Sequence, residues 1–474
     1  MTIDRQRRRL TGGLLAAPVI ATAASCGRDE DARVVHDVSQ LDRIEVAGIL
    51  RPTSSAAVSA ALARSSLPVS IGGGRYSMGG QIASTGSLHL DMRGMNRLLH
   101  LDTVHRRVRV QAGMRWRDLQ TLIDPHDLSV SIMQSFSNFS IGGSVSVNCH
   151  GRYVGKGPLA NSIVALRMVA ADGEVLDLSR DTQPELFHAV IGGYGGMGVV
   201  TEVELQLDRN GRIAREAEFV DLLDYPAWFR AEILGRGDTV MHNADLAPPR
   251  YDRPLAITWR HSEQPLTVAE RLTPEGRDYG RDQSLIWAAS ELPFGDDVRN
   301  RTRTLPQMRQ HPVVWRNREA SLDTDSLEPR TRMFSTYLLQ EYFIPTGQFA
   351  AFAAALGNIL IAHEVNALNV SIRHSPADEA TLLRWAPREV FSFVLYYKQR
   401  SWHRADEASA QWTRKLIDAA LANGGRYYLP YRLHATKEQF ARAYPEAEAF
   451  AALKRKIDPH FKFRNRLWER YLPR

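Results

Sequence analysis

Three glycine-rich stretches, residues 72–80, 140–151 and 192–198, carry the clearest chemistry in this chain. Glycine lets the main chain adopt positive φ and come close to a ligand, and successive amide N–H groups in such bends form a concavity for an anion. Three of them suit a large ligand with two phosphates. The helix-based nucleotide fingerprint is excluded. Gly193-Tyr-Gly195-Gly-Met-Gly198 matches G-x-G-x-x-G formally, but that motif needs a helix behind it, and residues 199–207 alternate with period two, as a strand does. Residues 81–92 after the first cluster contain Gly86 and an extended run, and no Gly-Lys-Ser or Gly-Lys-Thr follows any cluster, so a P-loop fails as well. Among the titratable residues, Glu341 shares a strand face with Leu339 and Phe343, where a carboxylate is expensive unless used or paired. Lys398, one of seven lysines, shares a strand face with Tyr396. No metal site is expected.

The elements that must hold these residues come in two styles. Residues 49–207 alternate short β-branched runs with glycine clusters and two modest helices, at 52–65 and 116–123. Strands are expected at 67–71, 104–110, 163–170 and 199–207, with Asp172-Gly173 turning a hairpin between Met168 and Leu176. From residue 210 to about 425 glycine thins out, and amphipathic helices near 348–361 and 405–421 flank strands at 336–343, 367–373 and 390–398. This predicts an α+β protein whose second domain is an antiparallel sheet with helices on one face. Residues 265–330, polar and rich in arginine, read as an inserted lobe or a mobile loop.

The composition is that of a globular chain. With 474 residues, 44% hydrophobic and 24% charged, two or three domains are expected and disorder is excluded. The net charge of +7 comes with no basic stripe, so nucleic acid is not an expected partner.

The motifs resemble the flavoproteins of the vanillyl-alcohol oxidase and p-cresol methylhydroxylase superfamily, nearest its aldonolactone and sugar-alcohol oxidase branch. Val69-Ser-Ile-Gly-Gly-Gly-Arg-Tyr-Ser-Met-Gly-Gly-Gln81 is similar to the family's first diphosphate loop, and Ser140-Ile-Gly-Gly-Ser-Val-Ser-Val-Asn-Cys-His-Gly151 to its second. Gly195-Gly-Met-Gly-Val-Val-Thr-Glu-Val203 resembles the segment beside the adenosine, and Tyr444-Pro445, Phe450, Leu453, Asp458-Pro459, Phe463 and Asn465 resemble the closing signature. The resemblance implies FAD as cofactor and an FAD-binding PCMH-type domain of two subdomains. It would span 38–207, with a cap over 208–429 and a C-terminal return at 430–474. The cofactor contacts it implies are Gly72, Gly73, Gly74, Arg75, Tyr76, Ser77, Met78 and Gln81 from the first loop. Ser140, Gly142, Gly143, Ser146, Asn148, His150 and Gly151 follow from the second, and Gly198 and Val200 from the third. Many relatives carry a flavin-linked His where this chain has Tyr76, which implies noncovalent FAD.

The implied activity is hydride transfer from a C–OH carbon of a small substrate to flavin N5, with oxygen or another redox acceptor restoring the cofactor. A flavin-dependent double-bond reductase and a degenerate, non-catalytic flavin binder are the alternatives. In the sugar-alcohol branch a Glu-x-Arg and a Lys surround the substrate. Here Ser371-Ile-Arg373 keeps only the arginine, and His434 stands in place of the lysine. Arg373 is then the expected cation, His434 the expected proton acceptor, Glu341 a substitute carboxylate and Lys398 a further candidate; His374 must point to the other strand face. At the amino end, Arg7-Arg-Arg9 before a short apolar stretch resembles a twin-arginine export signal, so residues 1–37 read as signal and tether. That implies a periplasmic or cell-envelope protein; whether Cys26 is lipidated, giving membrane attachment, is open. With Cys26 gone, Cys149 has no disulfide partner.

Overall fold

The computed structural model describes residues 33–472, so the expected export signal and Cys26 lie outside the described residues. A two-stranded ribbon, β1 (Val34–Val35) and β2 (Ile44–Glu45), leads into a parallel three-stranded sheet of β3 (Gly48–Leu50), β4 (Val69–Gly72) and β5 (Leu88–Asp91), with β5 in the middle. A second sheet contains β6 (Leu98–Asp102), β7 (Arg107–Gln111), β8 (Leu128–Val130), β9 (Ile163–Val169), β10 (Val175–Ser179) and β11 (Val199–Arg209). Its order is β10-β9-β11-β7-β6, with β8 paired to the end of β11.

Local sequence explains these elements. In β11 every second residue from Val199 to Leu207 is buried, the period-two pattern that rules out a nucleotide-binding helix here. Leu176 pairs with Met168 across the turn at Gly173, whose φ of +94° is a glycine conformation. The helix Ser55–Arg64 starts on Ser54, whose hydroxyl accepts the Ala57 N–H, and the helix Trp116–Ile123 buries Trp116, Leu119 and Ile123 on one face.

The rest of the chain builds an antiparallel sheet of β12 (Arg212–Phe219), β13 (Thr239–Leu246), β14 (Leu255–His261), β15 (Val313–Trp315), β16 (Ser335–Pro345), β17 (Ala367–Ser375), β18 (Val390–Arg400) and β19 (Arg426–Tyr427). The strand order is β15-β12-β14-β13-β17-β18-β16-β19. One face carries Tyr342, Phe393 and Tyr397, which pack on Phe349 and Phe352 of the helix Phe349–Ala362 and on Trp412 of the helix His403–Ala422. The other face is free for a site. Three of the eight strands are legible in the sequence; β12 to β14 escape it because β14 is buried on both faces and β12 is largely uncovered, so neither alternates cleanly.

Residues 265–330 are neither a separate lobe nor a loose loop. Arg117 and Gln120 of the helix Trp116–Ile123 donate to the carbonyls of Ser321 and Ala320, and Leu322 bridges to Phe136. The segment is thereby pinned to the glycine-loop half. The C-terminal segment also returns there. Phe463 bridges to Val69, Asn465 donates to the Tyr194 carbonyl, and Trp468 donates to the Gly193 carbonyl.

Candidate functional site

The three glycine loops converge on one cavity of about 390 Å³. Hydrogen bonds donated by main-chain N–H groups tie them together. Gly74 N–H donates to Ser140 Oγ at 3.0 Å, Tyr194 N–H donates to the Ser146 carbonyl at 2.9 Å, and Gly192 N–H donates to the Val145 carbonyl at 3.0 Å. A methyl on Gly73 would stand 2.3 Å from Ser140 Oγ, so only glycine lets the first loop approach the second this closely. Each loop also holds a non-glycine residue in the left-handed region: Arg75 (φ +63°), Asn148 (φ +47°) and Tyr194 (φ +50°). Such backbone is held only where the surroundings fix it, and functional loops are where it concentrates.

Most of the expected cofactor contacts face this cavity. Gly73 to Met78, Gln81, Ser140, Gly142, Gly143, Ser146, His150, Gly198 and Val200 line it. Gly72, Asn148 and Gly151 do not. Gly72 is pressed against the His89 ring, and a methyl on Gly151 would lie 2.1 Å from the Met133 carbonyl, so both serve packing. Asn148 bridges within the protein, accepting the Ala160 N–H and donating to Asp378. Gln81 also works internally while facing the cavity, donating to the carbonyls of Leu429 and Tyr431 and so tying the first loop to the C-terminal return.

At its other end the cavity meets the free face of the antiparallel sheet. Register sets one cross-strand row of Asp245, Ser371, Val394 and Glu341, with Asn369, Tyr396 and Leu339 in the next. All of these line the cavity, and so does Arg373, two residues beyond Ser371 on the same face. Period two from Arg373 would have found Asn369 and Ser371 in the sequence. Nothing local announces Asp245, Arg303, Thr324, Glu328 or Arg332, which line it from remote segments.

The charges in this wall are mostly matched. Arg303 reaches Asp245 at 3.4 Å, Arg332 reaches Glu328 at 3.3 Å, and Arg152 reaches Glu319 at 2.7 Å. Arg373 is the exception: among the described residues it forms no salt bridge, and its buried Nε has no hydrogen-bond partner. Burial presses its guanidinium below the ordinary value while the nearby Glu341 supports its charge. Glu341 is buried and accepts from His150 Nε2 at 2.6 Å and from the Tyr431 hydroxyl at 3.3 Å. Burial works against its charge, yet His150 and Arg373 hold its carboxyl below the usual range.

Two expected catalytic residues lie elsewhere. His434 is buried off the cavity, with Nε2 on Asp406 at 3.2 Å and Nδ1 on Thr413 at 3.3 Å. Both ring nitrogens are engaged, and the same stretch gives the cavity Pro430 and Tyr431 instead. Lys398 lies across from Tyr337 on the neighbouring strand, off the cavity, and is neutralised by Glu291 at 2.6 Å. His374 points to the opposite face and pairs with Glu389 at 2.8 Å. His434→Ala should therefore lower the melting temperature while leaving the rate of flavin reduction within about twofold, since the ring touches only protein; a large loss of rate at full flavin content would return His434 to the site.

Comparison with known proteins agrees with the cradle. Residues 46–179 match the model of an FAD binding domain. The chain is 34% identical over 136 residues to the mitochondrial L-galactono-1,4-lactone dehydrogenase of Brassica oleracea, a match covering 29% of this chain and 22% of that protein. It is 23% identical over 434 residues to the L-gulonolactone oxidase of Mus musculus, covering 89% of this chain and 94% of the mouse protein. A putative D-arabinono-1,4-lactone oxidase of Neurospora crassa is 28% identical over 172 residues, covering 32% of this chain and 31% of that protein. FAD is the cofactor that this domain and the loops around the cavity serve. Residues 46–179 are thus similar to an FAD binding domain, and the chain is similar to proteins named as aldonolactone oxidases and dehydrogenases.

Proposed function

We propose that this chain oxidises a C–OH carbon of a small substrate, with FAD held noncovalently, in a cell-envelope compartment reached through a twin-arginine signal. The observation that carries the reading is one cavity running from three glycine loops to a polar sheet face with an unpaired arginine. In this reading 38–207 and 430–474 form the cofactor half and 208–429 the cap. Residues 73–78, 140–146 and 195–198 hold the diphosphate and ring system through main-chain donors. Bound FAD supplies a two-electron acceptor for a hydride leaving carbon.

Tyr76 supports noncovalent binding. Its ring packs on Phe139 at 4.5 Å, its hydroxyl is 3.4 Å from Thr324 Oγ1, and burial pushes the phenol up, which keeps it protonated and a poor nucleophile. Arg373 supplies positive charge where negative charge develops on flavin or substrate oxygen. The residual wall, with Ser371 where the polyol branch has a carboxylate, suits a substrate with fewer hydroxyls than a sugar alcohol.

The purified protein should release its flavin into the supernatant on acid denaturation, and anaerobic mixing with hydroxyl compounds should bleach it. A yellow pellet overturns noncovalent binding. Bleaching by NADPH alone identifies a double-bond reductase, and protein that binds no flavin is the non-catalytic alternative. Arg373→Ala should slow flavin reduction by about 10²-fold at unchanged flavin content. An unchanged rate removes Arg373 from the site.

A further inference from the structure

His150 sits on the cavity wall at the end of the second glycine loop. Main-chain bonds fix its neighbour on both sides: Cys149 N–H donates to the Ser144 carbonyl at 3.0 Å, and the Cys149 carbonyl accepts the Leu159 N–H at 2.7 Å. The ring is packed among Trp385 (centroids 4.9 Å apart), Phe343 (5.5 Å) and Tyr428 (6.0 Å), so it has little rotational freedom. Its Nε2 lies 2.6 Å from Glu341 Oε1, and Tyr431 braces the other carboxylate oxygen at 3.3 Å. Among the described residues Nδ1 has no hydrogen-bond partner.

This geometry dictates a tautomer. An ionised carboxylate can only accept, so Nε2 must carry the ring proton, and the neutral imidazole then keeps its lone pair on Nδ1. A carboxylate that fixes one nitrogen and leaves the other as acceptor is the arrangement of a general base and its orienting partner. His434, with both nitrogens engaged, has no such lone pair.

We propose that His150 takes the substrate's hydroxyl proton on Nδ1, with Glu341 as the positioning residue that holds its tautomer. The proposal rests on the C–OH oxidation put forward above. The step balances: the substrate's C–H bond breaks with its electron pair passing to oxidised FAD, the C–O bond becomes C=O, and the O–H proton passes to Nδ1. The substrate is oxidised by two electrons and the flavin reduced by two. The charged and titratable groups around the ring are Glu341 from β16, Arg373 from β17, Arg152 from its own loop, and Tyr428 and Tyr431 from the C-terminal return.

Two measurements on the flavin-loaded protein test this. In ¹⁵N NMR of the imidazoles, wild-type His150 should show an unprotonated Nδ1 and a protonated Nε2, and Glu341→Gln should abolish that preference. In rapid mixing, His150→Gln should slow flavin reduction by about 10²- to 10⁴-fold and erase the acid limb of its pH profile. Glu341→Gln should shift that limb to lower pH, because removing the anion makes the ring harder to protonate. If His150→Gln loses flavin, the NMR and Glu341→Gln results decide. A protonated Nδ1 in the wild type, or an unmoved acid limb in Glu341→Gln, overturns the proposal while the oxidase reading stands. Wild-type flavin that no hydroxyl compound bleaches overturns the oxidase reading itself and the proposal with it.

Discussion

Lys454→Met should lower the unfolding free energy by about 3–5 kcal/mol and weaken FAD retention, because it leaves a buried charge without its partner. Lys454 and Asp458 are each 1% exposed and 2.8 Å apart, one helical turn from one another. The ammonium also donates to the Gly196 carbonyl at 2.6 Å and the Phe463 carbonyl at 3.1 Å. Asp458 accepts the N–H groups of Lys462 and Phe463, which softens the loss and favours the lower end of the range. Gly196 belongs to the third glycine loop, between the cavity residues Gly195 and Gly198, so this one ammonium fastens the C-terminal return to the cofactor cradle. Urea titration of the variant measures the effect. The double change Lys454→Met with Asp458→Asn should recover much of it, since neither buried charge is then unpaired. A single-variant loss under about 1 kcal/mol would show that the pair does not support the fold.

His242→Gln should gain on the wild type by roughly 1.4 kcal/mol for each pH unit lost between about 6.5 and 4. His242 is buried between the Tyr225 hydroxyl and Thr258 Oγ1, both at 2.9 Å, and burial pulls its pKa down to about 3. The sign follows from proton counting. Below 6.5 the unfolded chain protonates this ring while the folded chain does not, so the unfolded state binds more protons and the native state weakens as pH falls. At neutral pH the variant loses hydrogen bonds and should be the less stable of the two. On acidification the difference should shrink and then reverse. Comparing the two proteins cancels groups of opposite sign, such as Asp37, which burial raises to about 6. A difference that stays constant with pH would refute a neutral His242.

Chemistry written in local order was legible from residues alone. The glycine runs, the alternation that makes 199–207 a strand, and the odd carboxylate Glu341 on an apolar face are properties of consecutive side chains, and periodicity reports them directly. The tertiary structure decided which residues meet. It joined Glu341 to His150, which lie 191 residues apart, engaged both nitrogens of His434 with Asp406 and Thr413, and neutralised Lys398 with Glu291. It also carried Thr324 and Glu328 from an unpatterned segment to the cavity wall. The physical reason is that strand alternation fixes a face but not a neighbour. Neighbours follow from register across strands and from where remote loops dock, and these are settled by the packing of the whole chain.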